Sequence, residues 1–485
     1  MTLFEELLRN SFMNNKYNMA LVCDERSYTY EQLEESTINL AEKMKNIGIT
    51  KGDKVIVVNK HPLQFTLILL TLVYIEAIPM PVYAKMGLIK LENMIEFYEV
   101  NYIIMPQEDI RILLKYDYAL IDSIENIVVY SYAKEKDISL EKVRLILFTS
   151  GTTSTPKAIM LTQKNILSNV EAISEYLKLS CRDSILLIKD LSHSSSIIGE
   201  LFVGLVNGCK IVMTTQLPLT SIILKLMVKQ KISVFFAVPT LLKGIMSFPN
   251  LNEFDLSNLS IINFYGASIN HTDIAALLEI FPNTNIIYSY GQTEASPRVT
   301  YIEKKELVKR PASCGSPIKD VRIQIVNEKG KEILPFNKGQ VVVEGPNVMY
   351  GYYKNELRTQ QVVKDGKLFT GDVGYVDEEG FLYITGRVDN MIISAGKNIY
   401  PEEIEGVITA FDDILESLVV AEKKKNETIE LIAYVVVKES VQLDYGKLFS
   451  YCRDNMELYK IPREIIVVPE LDKTPSGKIK RNQKL

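Results

Sequence analysis

The sequence predicts an α/β protein, with largely parallel sheets over about the first three hundred residues, then antiparallel hairpins, then a smaller α+β segment. Three observations carry this reading. Short apolar runs alternate with helical patterns up to about residue 300. After residue 315 the texture becomes an alternation of apolar and polar residues broken by turn signals, which suits antiparallel strands. From about residue 387, roughly a hundred residues carry both strand and helix patterns.

The elements follow in order. "KVIVVN" (54–59) reads as a strand, and the apolar stretch at 63–83 is interrupted by Glu76 and two prolines. That stretch is therefore a buried helix running into a strand and not a membrane span. "NYIIMP" (101–106), "NIVVYS" (126–131), "SILLIKD" (184–190), "CKIVMTT" (209–215), "ISVFFAVP" (232–239), "LSIINFYGAS" (259–268) and "NIIYSYG" (285–291) are further strands. Spaced by helices, they form βαβ units. Between them, "VRLIL" (143–147) and a helical pattern from residue 160 flank "FTSGTTSTPKAI" (148–159), read as a strand-to-helix connection. "VRIQIVNEKGKEI" (321–333) turns at Lys329 and Gly330, and "GQVVVEG" (339–345) and "GFLYITG" (380–386) share its alternation. In the last segment "LESLVVAEK" and "ELIAYVVVK" are strands and "YGKLFSYCRDNM" a helix. With no repeat and no low-complexity linker, the division falls at 1–387 and 388–485, with a tight hinge near 387–390.

Composition narrows the function classes. The chain has 485 residues, 47% hydrophobic and 24% charged, an ordinary globular balance with room for several domains. A net charge of −5 and the lack of a dense Lys/Arg cluster argue against nucleic acid as the partner. Five scattered cysteines with no C-x-x-C pair suggest neither a disulfide framework nor a zinc site, and reduced thiols fit a cytoplasmic protein. The early acidic residues and the missing apolar signal core argue against secretion, and no stable membrane insertion is expected. Three histidines leave little material for a His-rich metal site.

The twelve residues 148–159 hold six hydroxyl side chains, one glycine and Lys157. Backbone N–H groups, hydroxyl donors and a point charge suit an anion such as a phosphate chain. The same residues make ordinary surface loops, and the stretch alone does not separate the two readings. It is not the common nucleotide loop, which needs Gly before Lys and Ser/Thr after it, where this chain has Pro156 and Ala158. Four further segments could complete a nucleotide site: "NFYGASI" (263–269), "YSYGQTEAS" (288–296), "LFTGDVGYVDEEGFLYITGRVDNMIISAGKNIYPEEIE" (368–405) and "KTPSGKIKR" (473–481). Alone, Asp372 would be a turn residue, Lys478 a solvated tail lysine and Glu294 a carboxylate at a helix start.

Together these motifs resemble the adenylate-forming enzymes: acyl-CoA synthetases, aryl-CoA ligases, luciferases and peptide-synthetase adenylation domains. "TSGTT…PK", "YGQTE", "TGD", "GRVDNMI…G…I.P.EIE" and "PSGKIKR" fall in the family's order and spacing across nearly the whole chain. The resemblance implies two α/β sheet subdomains and a small distorted β-barrel, followed by a mobile C-terminal lid. It implies that Thr149, Ser150, Gly151, Thr152, Thr153 and Lys157 hold the ATP phosphates, although Ser154 and Ala158 stand where the family usually has glycine. Tyr290 would lie on one side of adenine, with Gly266, Ala267 and Ser268 on the other, and Gly291 would be a further nucleotide-binding residue. Thr293 would meet the α-phosphate, Glu294 would bind Mg²⁺, Asp372 and Arg387 would hold the ribose, and Lys478 would bridge carboxylate and phosphate. Asp389 matches the hinge about which the lid turns, and Ala395, Gly396 and Lys397 would line the thiol channel.

The acid pocket maps by resemblance to "DLSHSSSIIGELFVGLVNGC" (190–209), with His193, Ser194, Ser195 and Gly199 beside Gly266 and Gly291. Amino-acid-activating members have an aspartate where this chain has Ser195, which disfavours a standard α-amino acid. His193 stands where acyl- and aryl-activating members have a histidine, or else it simply packs on the pocket wall. The expected substrate is an aryl or short-to-medium acyl acid. The thiol acceptor is coenzyme A or the phosphopantetheine of an acyl or peptidyl carrier protein acting in trans. A stand-alone adenylation enzyme, a non-catalytic nucleotide-binding relative and a nucleotide hydrolase are the alternatives, and a homodimer is compatible with the sequence.

Overall fold

The computed structural model describes residues 2–481 apart from 59, 84–85, 107–118, 125–126, 132–135, 150–155, 267–270, 395–396, 424–428, 439–440 and 474–478. Its largest sheet runs in spatial order Ser316–Pro317, Thr300–Glu303, Asn285–Tyr290, Ile261–Tyr265, Val234–Ala237, Ser184–Leu186, Lys210–Met213, Met19–Cys23 and Arg26–Thr29. The six central strands are parallel, and the antiparallel pairs lie at the two edges. Val234–Ala237 is buried along its whole length, as a parallel strand covered on both faces should be. This arrangement brings the carboxyl ends of Ser184–Leu186, Ile261–Tyr265 and Asn285–Tyr290 to one edge, where ligands of parallel α/β sheets sit.

A second sheet orders Ile78–Pro81, Lys54–Val57, Tyr102–Pro106, Ile127–Ser131 and Ala119–Ile124. The apolar stretch after residue 62 is the helix Pro62–Tyr74 followed by the buried strand Ile78–Pro81, as the sequence predicts. No described helix is long and apolar enough to cross a membrane. All five cysteines are free, and only Cys181 is exposed.

One sequence expectation is corrected. The hydroxyl-rich stretch does not lead from a strand into a helix. Val143–Thr149 pairs antiparallel with Lys157–Thr162, so Thr149 faces Lys157 across a hairpin, and Gly351–Tyr352 adds a third strand. The residues "KAIMLT" are too few for a helix, and their apolar side chains pack inward as a strand. The helix Gln163–Leu177 starts only after Thr162, whose Oγ1 accepts from Asn165 N at 3.2 Å while Asn165 Oδ1 accepts from Thr162 N at 2.8 Å.

Beyond residue 315, Arg322–Val326, Gly339–Glu344, Lys367–Val376, Val363–Lys364 and Leu382–Arg387 form a five-stranded antiparallel sheet. The turn at Lys329 and Gly330 is closed by a bridge from Val326 to Glu332, by Asn327 N donating to Lys331 O and by Asn327 Oδ1 accepting from Lys329 N and Lys331 N. After residue 390 come the hairpin Ile392–Ser394 with Lys397–Ile399, a sheet of Ile414–Lys423, Ile429–Val437 and Glu464–Val467, and the helices Pro401–Thr409 and Tyr445–Asn455. This region encloses its own apolar core, including Ile399, Ile404, Ile408, Val419, Ala433, Leu448 and Ile465. It meets the antiparallel sheet at Gly386, where a side chain would strike Tyr400 Cβ at 2.7 Å, and through the Lys338–Glu403 ion pair.

Candidate active site

The strand Asn285–Tyr290 ends at Tyr290, and the chain then turns back sharply on itself. A Cβ at Gly291 would lie 1.9 Å from the Pro297 carbonyl oxygen, so only glycine fits. A short 3₁₀ turn, Thr293–Ala295, then presents Thr293 and Glu294. Two interior amides fix this segment. Asn169 Nδ2 donates to Arg298 O at 2.9 Å, and Asn347 Nδ2 donates to Ala295 O and to Arg298 O, each at 3.1 Å. Met349 N adds a bond to Glu294 O at 2.9 Å.

Asp372 and Arg387 face each other in register on neighbouring strands, and Arg387 Nη1 donates to Asp372 Oδ1 at 2.7 Å. Tyr290 Oη donates to the other oxygen, Asp372 Oδ2. Burial first, and then the neighbouring Asp372 charge, hold the Tyr290 hydroxyl well above its ordinary pKa, so it remains a donor. Thr370 orients the pair: its Oγ1 accepts from Asp372 N at 3.0 Å and donates to Val341 O at 2.8 Å.

Tyr352 Oη donates to Glu294 Oε1 at 2.9 Å, and Lys157 Nζ lies 5.7 Å from the centroid of the Tyr352 ring. Burial and the Glu294 carboxylate push the Tyr352 hydroxyl far up, while Arg358 and Arg387 pull the other way. Lys157 and Glu294 are therefore brought together at Tyr352, and the charge of Arg387, itself paired with Asp372, acts on the same hydroxyl. Thr293 Oγ1 is 3.1 Å from Ser194 Oγ, which joins the segment expected to form the acid pocket to the same edge.

His193 caps the short helix Ser194–Ser196 without a side-chain cap bond, and a wide-turn helix, Ile197–Phe202, follows it. Gly199 lies against Arg298, whose Nη2 would be 3.4 Å from a Cβ there. Gly266 follows Ile261–Tyr265 with φ +95, a conformation that favours glycine. Asp389 lies in the turn Val388–Asn390, and Lys397 Nζ sits 3.9 Å from the Tyr459 ring centroid, within the C-terminal region. Ser150, Gly151, Thr152, Thr153, Ala267, Ser268, Ala395, Gly396 and Lys478 lie outside the described residues.

The donor set suits a magnesium nucleotide. Lys157 and Thr293 offer a cation and a hydroxyl, and Asp372 offers a buried carboxylate. The described residues contain no group of three His, Cys, Asp or Glu side chains placed to hold a metal ion. Tyr352 and the group Lys189, Glu200, Tyr265 and Arg298 also belong to this region and were not singled out from the sequence.

The AMP-binding enzyme family profile matches residues 9–353, and that of the AMP-binding enzyme C-terminal domain matches residues 403–478. The chain belongs to the AMP-binding enzyme family, within the adenylate-forming superfamily. Among its relatives, a long-chain-fatty-acid–CoA ligase of Bacillus subtilis is 32% identical over 349 residues, which is 71% of this chain and 61% of that protein. A 2-succinylbenzoate–CoA ligase of Bacillus cytotoxicus is 27% identical over 482 residues, 98% of this chain and 97% of that protein. An anthranilate CoA ligase solved with anthranoyl-AMP shares the fold with a TM-score of 0.88 at 20% identity, over 99% of this chain and 95% of that one. The AMP-binding fold thus extends over both regions described above.

Proposed function

We propose that the chain is an AMP-forming acid–thiol ligase that activates a small carboxylic acid with ATP and passes the acyl group to coenzyme A. The observation that carries the reading is the gathering of Lys157, Thr293, Glu294, Asp372 and Arg387 around one edge of the large sheet, in a chain of the AMP-binding family. The names of its relatives, CoA ligases for 2-succinylbenzoate and for long-chain fatty acids, support coenzyme A as the acceptor.

In the first half-reaction a carboxylate oxygen attacks the α-phosphorus, its P–O bond to the β-phosphate breaks, and pyrophosphate leaves with that bridging oxygen. In the second, the thiol sulfur attacks the acyl carbon, the C–O bond of the mixed acyl–phosphate anhydride breaks, and AMP departs with that oxygen as the thiol proton is lost. Both halves need positioning and charge neutralisation above all. Asp372 and Arg387 hold the ribose, Tyr290 keeps Asp372 in place, and Thr293 and Lys157 bind phosphate oxygens. Glu294 would hold a magnesium ion, which supplies further neutralisation of the phosphate charge when bound. Lys478 serves the first half alone, Asp389 is the hinge between residues 1–387 and 388–485, and Ala395, Gly396 and Lys397 line the thiol path in the second half.

Acid-dependent exchange of labelled pyrophosphate into ATP, followed by thioester formation with CoA or a carrier protein, tests this reading. Lys478→Ala is expected to lose about 100-fold or more in exchange while sparing thioester formation from synthetic acyl-adenylate. No exchange with any acid, or equal loss in both halves, refutes the assignment.

A further inference from the structure

A second group of ionisable side chains lies beside the nucleotide cleft, where the acid pocket is expected. Lys189 follows the strand Ser184–Leu186, Tyr265 ends Ile261–Tyr265, Arg298 closes the pinned loop after Asn285–Tyr290, and Glu200 comes from the wide-turn helix Ile197–Phe202. Three of the four thus come from the carboxyl ends of strands in the large sheet, with Val234–Ala237 between Ser184–Leu186 and Ile261–Tyr265, and the fourth from the helix. Lys189 Nζ pairs with Glu200 Oε1 at 2.7 Å, and Tyr265 Oη donates to the same oxygen. Lys189 Nζ and the Arg298 guanidinium lie 3.8 and 3.7 Å from the Tyr265 ring centroid. Glu200 and Gly199, which lies against Arg298, both belong to the helix that follows Ser195, in the segment expected to form the acid pocket.

The charges do not balance. Lys189 and Glu200 neutralise each other, and no carboxylate of the described residues pairs with Arg298. Arg298 is 2% exposed, and its Nε and Nη2 have no hydrogen-bond acceptor. Nη2 lies on the side of Gly199, a position assigned to the pocket wall. A buried guanidinium with unpaired N–H groups is costly, and a planar anion that accepts two hydrogen bonds offsets that cost. The Arg298 backbone is held through its N–H and its carbonyl by Asn169, and through the carbonyl by Asn347, so the group is preorganised. Five residues upstream on the same loop lies Thr293, the proposed α-phosphate contact.

We propose that Arg298, set by Tyr265 and the Lys189–Glu200 pair, binds a second carboxylate of the substrate, so that the acids this enzyme activates are dicarboxylic. The inference rests on the ligase reading above and names its substrate class. One carboxylate reacts at the phosphate while the other remains ionised on Arg298.

Pyrophosphate exchange with the full chain tests this on matched acids. Each dicarboxylic acid is compared with its monomethyl ester, with the monocarboxylic acid of equal length and with the ω-hydroxy acid, in aliphatic and aromatic series. The diacid should lead its neutral partners by about 100-fold or more in kcat/KM, and Arg298→Gln should bring the ratio to within about threefold. Arg298→Lys, which keeps the charge but loses the fork, should retain an intermediate ratio. If Arg298→Gln does not fold, the wild-type ratio and that of Arg298→Lys decide. Exchange that favours monocarboxylic or ω-hydroxy acids overturns the inference and leaves the ligase standing, as does an undiminished diacid preference in Arg298→Gln. Absence of exchange with every acid overturns both.

Discussion

Gly291→Ala probes the turn on which the site depends. The added Cβ would sit 1.9 Å from Pro297 O, 2.9 Å from Pro297 C and 3.0 Å from Arg298 Cα, all of them backbone atoms. Relief to an ordinary contact of 3.4 Å needs a backbone displacement of about 1.5 Å, and no side-chain rotation supplies it. The return strand cannot yield freely, because Asn169 and Asn347 tie it to two other elements. The displacement therefore falls on the turn that presents Thr293 and Glu294. A shift of about 1 Å in a reacting group costs on the order of 100-fold in rate, and overpacking of this kind costs about 1–3 kcal/mol of stability. The measurements are kcat/KM in pyrophosphate exchange and the denaturant midpoint. Gly406→Ala is the control: it lies in the helix Pro401–Thr409 with open space around its Cα, so alanine should be neutral or stabilising by up to about 1 kcal/mol. A Gly291→Ala variant with wild-type exchange and an unchanged midpoint would refute the claim that this turn positions Thr293 and Glu294.

Two further outcomes follow from the same geometry. Asp372→Asn leaves the Arg387 guanidinium without its carboxylate and puts an amide where Tyr290 and Arg387 both donate; KM for MgATP should rise about tenfold or more, with KM for the acid little changed, in exchange assays that vary each substrate in turn. Burial pulls the Lys189 ammonium down to about 8, against the attraction of Glu200 and with the help of Arg298, while the third neighbour, Tyr265, is pushed up by burial and stays neutral. Because that pKa is depressed, the Lys189 charge is present below about pH 8 and lost above it, so the diacid-to-monoacid ratio should fall as pH rises from about 7 to about 9; a flat ratio over that window contradicts a role for the Lys189 charge in holding the second carboxylate.

The strands of the large sheet were legible because each is a short apolar run bounded by polar or turn residues, as in "ISVFFAVP" and "NIIYSYG". The hairpin at 148–162 was not. An apolar run of a few residues looks alike in a strand and in a buried helix, and the capping residue Thr162, which marks where the helix begins, has asparagine at its third position instead of the usual Glu or Gln. Glu294, Asp372 and Arg387 could be picked out because each sits in a motif of fixed order. Tyr352 could not, since its bond to Glu294 spans 58 residues and "GYY" carries no signal of its own. Glu200 did leave a trace. A carboxylate inside the apolar run "IIGELFVGLV" must find a partner when buried, and Lys189 is that partner.

The two ends of the cleft are thus built by different means, and this has a consequence for how substitutions sort. The nucleotide end depends on turns, strand register and backbone anchors, so its geometry is common to every acid the enzyme could take. The proposed acid end depends on side chains converging from four separate segments, and their burial has a cost that apolar residues of similar volume would avoid. If the group served stability alone, replacing Lys189, Glu200 and Arg298 together by apolar residues would be neutral or stabilising, and the order of preference among acids would not move. If it reads the substrate, the same replacement removes the preference for dicarboxylic acids while exchange with monocarboxylic acids persists. Substitutions at Asp372 or Gly291 should instead lower exchange with all acids in proportion. The pattern across a panel of acids, more than the activity with any one, separates the part of the site that binds ATP from the part that chooses what ATP activates.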